Sequence, residues 1–247
     1  MRRKNVSRKK LIYGKVKKSY MKKIERVETG ILGLDRLIEG GLVKGSASLV
    51  SGGTGTGKTI FCCQFLKHGL DNGENCLFIT FEESANDIIN DAASFGWELG
   101  KYVKSGKLVF EYVDPLEAKT RLGSIDEFVK KTVKEKKISR IAIDSVSVFG
   151  LYLADHYEFR KDLHKLVETL KESGATTILT AEALDGSTRF RVEEFVADAL
   201  INLYGLKIGE GNFRSLQVVK MRRTRHAEDV FPFEFTSKGI VVKKDII

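Results

Sequence analysis

A glycine-rich run that ends in a lysine and a threonine is the first segment whose residues could do chemistry. Residues 52–59 read Gly-Gly-Thr-Gly-Thr-Gly-Lys-Thr, which fits the pattern G-x-x-x-x-G-K-[ST]. Glycines at this spacing let successive backbone N–H groups turn inward around a phosphate, and a helix that begins there adds positive potential. Lys58 would reach the β- and γ-phosphate oxygens, and the Thr59 hydroxyl would bind Mg²⁺. The run therefore predicts a site for a nucleoside triphosphate with Mg²⁺.

An acidic residue at the end of an apolar strand could complete the Mg²⁺ site. The segment Ile141-Ala142-Ile143-Asp144 has this form, and Asp144 would hold the ion opposite Thr59. Asp114 also ends an apolar run and is the competing candidate. We favour Asp144.

Two glutamates, Glu82 and Glu83, directly follow a third apolar run. A carboxylate beside the phosphate loop can polarise the water that attacks the γ-phosphate. On this interpretation Glu82 is the general base, and Glu83 adjusts its pKa or its position. The structural alternative is that both acids stabilise the first turn of the following helix, which Ser84 could also cap.

The elements that would position these residues alternate along the chain from Ile24 onward. Short apolar strands are expected at 47–50, 76–81, 108–113, 140–143 and 176–180, with helices at 59–70, 85–95, 125–136 and 156–172. This alternation is typical of an α/β fold with a mainly parallel sheet flanked by helices. The rest of the chain predicts a C-terminal β-hairpin, 200–208 with 215–221 around a turn at 209–212, and a second short pair at 231–235 and 240–242.

The net charge of +9 belongs to the start of the chain. Residues 1–23 contain eleven Lys or Arg and no acid, which leaves 31 basic and 33 acidic side chains, a charge of −2, for residues 24–247. So basic a segment cannot fold alone, and we expect a disordered or loosely helical tail followed by one domain. The tail is either a solvated extension, with Met21 as an alternative start, or an electrostatic arm for RNA, DNA or an anionic membrane.

The composition also indicates the cellular compartment of the protein. No apolar run reaches 18 residues, so no membrane insertion is expected, and the basic start lacks the apolar core of a secretory signal. The three cysteines, Cys62, Cys63 and Cys76, form no C-x-x-C pair. They are typical of reduced thiols in a cytoplasmic protein.

Ordered blocks between residues 27 and 242 resemble the KaiC-type ATPases of the RecA superfamily, in their archaeal single-domain form. Besides the phosphate loop, these blocks are Thr29-Gly30-Ile31, Gly33-Leu34-Asp35, Gly40-Gly41, Thr80-Phe81-Glu82-Glu83, Ser94-Phe95-Gly96-Trp97, Ile143-Asp144-Ser145-Val146, Val192 to Asp198, Lys220-Met221-Arg222 through Thr224 and His226, Pro232-Phe233 and Gly239-Ile240. The resemblance implies a RecA-like P-loop core, slow ATP hydrolysis, a regulatory role and a homohexameric ring with ATP held between subunits.

Site residues follow from the motif and the resemblance together. The loop residues that bind ATP and Mg²⁺ are Gly53, Thr54, Gly55, Thr56, Gly57, Lys58, Thr59 and Ile60, with Glu82 as the proton acceptor and Ser94 near the adenine. The resemblance further implies nucleotide contacts from Lys220, Met221, Arg222, Thr224, His226, Thr236 and Ser237, all but Met221 toward the nucleotide of the next subunit. Without the resemblance, the spacing of Lys220 and Arg222 indicates only that both side chains lie on one basic face of a solvated strand.

The match has two departures, and two other functions stay open. Arg223 stands where the family pattern has glycine, and one domain is expected where the clock protein has two in tandem, so clock function and autokinase activity are not carried over. A recombinase-like ATPase would contact DNA through residues 185–191, with Arg189 and Arg191. A nucleotide-gated scaffold would hydrolyse little ATP. The near-neutral body weighs against the first alternative, and Glu82 with Glu83 against the second.

Overall fold

The computed structural model describes residues 23–148, 156–183, 192–208 and 211–244. Three features of the sequence lie outside these ranges: the basic tail up to residue 22, the candidate DNA-contact loop at 185–191 and the first two residues of the predicted turn at 209–212. Within the described ranges, every helix is too short or too polar to cross a membrane.

Nine strands form the main sheet, and two more form a small ribbon at the start of the described chain. The ribbon pairs β1 with β2, and the main sheet has the order β11-β10-β9-β8-β3-β7-β6-β4-β5. The strands are β1 (Arg26–Val27), β2 (Leu42–Val43), β3 (Ala47–Gly52), β4 (Asn75–Thr80), β5 (Leu108–Tyr112), β6 (Ile138–Asp144), β7 (Thr176–Glu182), β8 (Ala199–Ile208), β9 (Gly211–Met221), β10 (Val230–Thr236) and β11 (Gly239–Val242).

The sheet is parallel at its centre and antiparallel at its C-terminal side. Strand β3 pairs in parallel with both β7 and β8, and β4, β5 and β6 continue the parallel part. The β8–β9, β9–β10 and β10–β11 pairs are antiparallel. This confirms the predicted α/β fold with a C-terminal hairpin. Gly211 and Asn212, expected in the turn, instead pair with Ile208 and Lys207 as part of β9.

Helices cover both faces of this sheet. They are α1 (Lys58–Asp71), α2 (Ala85–Ala93), α3 (Leu99–Lys104), α4 (Pro115–Lys136), α5 (His156–Glu172) and α6 (Val192–Val196), with a 3₁₀ turn at Asp35–Ile38. Helix α4 begins ten residues before the predicted start at 125, with proline in the first position, where its missing N–H costs nothing. The short helices α3 and α6 were not predicted, because five or six residues do not establish a helical period.

Two layers of buried side chains separate the helices from the sheet. Phe61, Phe65 and Phe78 belong to one layer, and Val129, Ile141 and Leu166 to the other. Successive residues of one strand face opposite layers, so a strand covered on both sides has to be apolar throughout. This explains the uninterrupted apolar runs of β3, β4 and β6.

Candidate functional site

The glycine-rich loop connects the end of β3 to the start of α1, at the carboxyl edge of the parallel strands. Gly57 precedes the helix with φ 98°, a left-handed conformation that favours glycine. A Cβ on Gly57 would lie 2.4 Å from the Phe235 ring, and one on Gly52 would lie 2.6 Å from Thr56 Oγ1. The Thr56 hydroxyl in turn donates to the Gly53 carbonyl over 2.8 Å. The tight loop therefore requires glycine at both ends.

Lys58 points back across this loop from the first position of α1. Its side chain is 8% exposed, and its Nζ donates to the Gly53 carbonyl over 3.1 Å. The same Nζ lies 2.6 Å from the Oε1 of Glu182, which ends β7, directly opposite Gly52 in the neighbouring strand. No sequence motif pointed to Glu182. The only sequence signal is an acid at the end of a strand.

Thr59 and Asp144 meet beside the loop, as the sequence predicts for a Mg²⁺ site. The Thr59 hydroxyl donates to Asp144 Oδ2 over 2.6 Å, and the Thr180 hydroxyl donates to Oδ1 of the same carboxylate. Hydroxyl and carboxylate oxygens are the hard donors that Mg²⁺ prefers, together with phosphate oxygens. No group of three or more His, Cys, Asp or Glu in the described ranges could hold a metal by itself. The donor set therefore fits an ion shared between protein and phosphates.

The competing acid, Asp114, lies farther from the loop than Asp144 does. It follows β5, the edge strand, which is four positions from β3 in the sheet. At about 4.8 Å per strand, this is roughly 19 Å from the strand that carries the loop. Asp144 is therefore the better-placed candidate.

The two glutamates after β4 do not cap the following helix. Ser84 precedes α2, and its hydroxyl accepts the backbone N–H of Asp87 over 3.3 Å. Glu82 and Glu83 lie before this cap and are exposed. The capping role considered for them belongs to Ser84.

Glu82 accepts a hydrogen bond from Ser145, which directly follows Asp144 at the end of β6. The hydroxyl of Ser145 donates to Glu82 Oε1 over 3.1 Å. Partial burial, and next the charge of Asp144, raise the pKa of Glu83 above its ordinary value. Three carboxylates thus converge at the carboxyl edge of β4 and β6, close to the Thr59 hydroxyl.

An aromatic cluster flanks the loop on the side of β10. The Phe235 ring lies against Gly57, 6.1 Å from the ring of Phe95, and the Arg214 guanidinium lies 4.8 Å above it. Ser94 directly precedes Phe95 after the last turn of α2, and its hydroxyl donates to the Asp91 carbonyl over 2.6 Å. Ser94 is therefore on the loop's side of the sheet.

Thr236 ends β10 and Ser237 begins the turn between β10 and β11. The resemblance implies that both residues face the nucleotide of the next subunit. The structure places this turn beside the loop of its own chain, because Phe235 contacts Gly57 and the Ile240 N–H donates to Gln64 Oε1 of α1 over 2.7 Å.

Lys220 and Arg222 lie at the opposite edge of the sheet from the loop. Met221, between them, pairs with Ala199, which pairs with Ser48 near the start of β3. Ser48 precedes Gly52 by four residues, which corresponds to about 13 Å along a strand. The two basic residues are thus remote from the phosphate loop of their own chain.

Both basic side chains are held near the C-terminus of α6. Lys220 Nζ donates to the Ala197 carbonyl over 2.8 Å and to the Glu194 carbonyl over 3.3 Å. Burial, and next the like charge of Arg222, lower the pKa of Lys220 below its ordinary value. Arg222 is 58% exposed, with its Nη1 3.9 Å from Asp198 Oδ1. Arg222 is therefore available to an outside partner, whereas Lys220 is engaged within the chain.

The remaining predicted residues divide between these two edges. Ile60 is half-buried and packs against the core beside the loop. Met221 is 7% exposed, so its side chain serves the core. Thr224 and His226 lie with Arg222 at the remote edge, where Thr224 Oγ1 accepts from Arg26 over 2.9 Å and His226 Nδ1 is 3.1 Å from the Ala227 carbonyl. The predicted site thus consists of two parts that one chain does not bring together.

Comparison with known protein families gives one consistent match. A family model described as "ATPase: KaiC" matches residues 27–246. The circadian clock oscillator protein KaiC of Prochlorococcus marinus subsp. pastoris is 39% identical over 239 residues, which cover 92% of this chain and 47% of that protein. The KaiC of Synechococcus elongatus is 40% identical over 228 residues, 88% of this chain and 44% of its own. The chain spans about half the length of these relatives.

Solved structures give the same result. The crystal structure of a KaiC-like protein from the hyperthermophilic archaeon Pyrococcus horikoshii superposes with a TM-score of 0.80 at 39% identity. The match covers 90% of this chain and 100% of that chain. At this identity, the similarity concerns the sequence as well as the fold.

Proposed function

The chain belongs to the KaiC family of ATPases, and from this premise we propose that it hydrolyses ATP slowly at subunit interfaces of a homohexameric ring. The observation that carries the proposal is the contact between Thr59 and Asp144 next to Lys58 and the glycine loop. A hydroxyl, a carboxylate and an ammonium at one helix N-terminus are the groups that phosphoryl transfer needs.

Each group at the loop has a role in binding the triphosphate. The loop's backbone N–H groups and the start of α1 attract the phosphates, and Lys58 donates to their outer oxygens. Thr59 and Asp144 would hold Mg²⁺, which neutralises the phosphate charge when bound. Thr236 and Ser237, beside Phe235, would contact the nucleotide of their own subunit, and Ser94 lies on the same side.

Glu82 would hold the proton of the attacking water. Its Oε1 accepts from Ser145, which fixes the carboxylate and leaves Oε2 to accept the water's proton. Glu83, whose pKa is raised by partial burial and by Asp144, would place a second carboxyl group beside Glu82. Among the described residues, no Lys or Arg forms an ion pair with Glu82 or Glu83, so turnover would be slow until a cation is supplied from outside.

A neighbouring subunit is the proposed source of that cation. Arg222, with Thr224 and His226, lies at the edge of the sheet away from its own loop. An assembly that sets this edge against the carboxyl edge of the next subunit would bring Arg222 to the γ-phosphate, where an arginine stabilises developing charge. A closed ring satisfies every site equally, and coupling turnover to assembly suits a regulatory ATPase.

ATP turnover measured together with solution mass tests this function. We expect slow, Mg²⁺-dependent release of phosphate and a mass of six subunits when ATP is present. A monomer with full turnover would refute the interfacial site. Turnover that depends on single-stranded DNA would favour the recombinase-like alternative, and tight ATP binding without turnover would favour the scaffold.

A further inference from the structure

Arg26 joins two segments that are nearly two hundred residues apart in the chain. Its Nη1 donates to the Gly41 carbonyl over 3.1 Å and to Thr224 Oγ1 over 2.9 Å. Its Nη2 donates to Glu39 Oε2 over 2.5 Å and to the Arg223 carbonyl over 3.3 Å. The side chain is 14% exposed. Four oxygens therefore surround one largely buried guanidinium.

The ribbon that carries Arg26 is fixed to the body of the protein. Arg26 lies opposite Val43 in the β1–β2 ribbon, and Val43 is buried. A Cβ on Gly41 would lie 2.3 Å from the Val27 carbonyl oxygen, so the ribbon is tightly closed. The Glu28 carbonyl accepts from the buried Arg140 over 2.7 Å. Arg26 thus projects from a rigid base.

The segment that Arg26 reaches carries the proposed trans-acting arginine. The chain leaves β9 after Met221, and the Arg222 N–H donates to the Asp198 carbonyl over 3.0 Å. Arg223 then has φ 62°, a left-handed conformation that is unfavourable for a residue with a side chain. The two oxygens that follow, on Arg223 and Thr224, are those bound by Arg26.

We propose that Arg26 is a positioning residue, which holds residues 222–224 so that Arg222 is presented to the nucleotide of the neighbouring subunit. This inference rests on the proposed interfacial site. Arg26 itself does not touch the nucleotide. It acts through the fork of its guanidinium, whose two terminal nitrogens bind the ribbon and the segment at once. A lysine could pair with Glu39 but could not bridge all four oxygens.

Kinetics of Arg26 variants give the first test. Arg26→Ala and Arg26→Lys should hydrolyse ATP about tenfold more slowly or worse, because a displacement of about 1 Å can cost about 10²-fold. ATP affinity should stay near that of the wild type, since the variant's own loop is intact. Lys44→Ala is the matched control: it removes an exposed ion pair with Glu25 from the same ribbon without touching residues 222–224, and it should leave turnover unchanged.

Mixed rings separate a positioning role from simple loss of stability. An excess of Glu82→Gln subunits, which keep Arg26 and Arg222, should restore turnover to Arg26→Ala subunits by supplying an intact neighbour. Arg222→Ala subunits should not restore turnover, because no subunit of such a ring then presents a correctly placed Arg222 to its neighbour's nucleotide. Subunit exchange is verified by fluorescence transfer between labelled proteins, and Arg26→Lys provides a second variant if Arg26→Ala folds poorly.

The Arg222→Ala with Glu82→Gln mixture is the reference arm. If it stays inactive although subunits exchange, the interfacial site itself is wrong. If it regains turnover but the Arg26→Ala with Glu82→Gln mixture does not, the proposed function stands and the positioning role of Arg26 is refuted. Recovery in the Arg26→Ala with Arg222→Ala mixture would also refute it, because the two residues would then act at different sites.

Discussion

Lys58 Nζ and Glu182 Oε1 lie 2.6 Å apart across the mouth of the phosphate loop. Glu182 is directly opposite Gly52 in the adjacent strand, so the contact is fixed by the register of the parallel sheet. The phosphate oxygens of a bound nucleotide would have to contact the same Lys58 ammonium group. Nucleotide binding and this ion pair are therefore expected to compete.

Glu182→Gln should tighten nucleotide binding. The Lys58 side chain is 8% exposed and that of Glu182 34%, so the pair is partly screened and its loss would improve binding by up to about 1 kcal/mol, roughly fivefold in affinity. Calorimetric titration with ADP measures the change without turnover. Glu98→Gln, which removes an exposed pair with Lys101, is the control. Weaker binding by Glu182→Gln would show that the carboxylate assists the nucleotide.

Asp144→Asn should weaken the binding of Mg²⁺–ATP by about 10-fold to 100-fold, as loss of a carboxylate at or next to a metal does. Binding of ATP in the presence of a chelator should change much less, because Asp144 contacts the Thr59 and Thr180 hydroxyls rather than the loop glycines. Affinities measured with and without Mg²⁺ test this. Asp114→Asn should leave both unchanged. Equal weakening under both conditions would assign Asp144 a structural role only.

Glu82→Gln should bind ATP and Mg²⁺ normally and hydrolyse ATP about 10²–10⁴-fold more slowly, the usual cost of losing a general base. The amide keeps the size of the side chain and can still accept from Ser145. Single-turnover measurements separate this chemical step from product release. Glu83→Gln should have the smaller effect. If Glu82→Gln stays close to wild type and Glu83→Gln is the slow variant, the base is Glu83.

The raised pKa of Glu83 predicts a pH-dependent stability. Burial, and next Asp144, favour its protonated form in the folded state. The stabilising contribution of protonated Glu83 is therefore fully present at pH values below the ordinary carboxyl pKa. It is lost as the pH rises through the raised pKa of the folded state. Glu83→Gln, neutral throughout, should unfold at a higher temperature than wild type at pH 7 but not at pH 4.

Thermal unfolding without nucleotide and with a chelator measures this difference. Glu98→Gln is again the control, since Glu98 is exposed. A lower unfolding temperature for Glu83→Gln at pH 7 would mean that the charged carboxylate stabilises the fold, contrary to the expected sign.

Local patterns in the sequence were sufficient for the central elements of the site. The glycine spacing predicts the loop, and an apolar run ending in an acid predicts Asp144 with Asp114 as its competitor, because both depend on a few consecutive residues. The alternation of strands and helices gives the parallel sheet for the same reason. These features need no knowledge of which distant segments meet.

Contacts between distant segments could not be predicted. Glu182 reaches Lys58 only because β7 lies beside β3, and Arg26 reaches Thr224 only because the first and last thirds of the domain pack together. The position of Thr236 beside its own loop depends on β10 folding back onto α1. No spacing in the sequence encodes these pairings.

The last prediction compares two neighbouring arginines, of which only Arg222 is expected to need its side chain for hydrolysis. Arg222→Ala should slow hydrolysis by about 10³-fold or more, as removal of an arginine supplied in trans does, while ATP affinity changes little. Arg223→Gly should keep normal turnover, because Arg26 binds the backbone carbonyl of Arg223, which glycine retains. Glycine also accepts φ 62° without strain. Relief of up to about 1 kcal/mol would raise the unfolding temperature by about 2–4 °C. ATP turnover and thermal unfolding of the two variants measure both effects. Slow hydrolysis by Arg223→Gly with normal hydrolysis by Arg222→Ala would assign the trans charge to Arg223 instead.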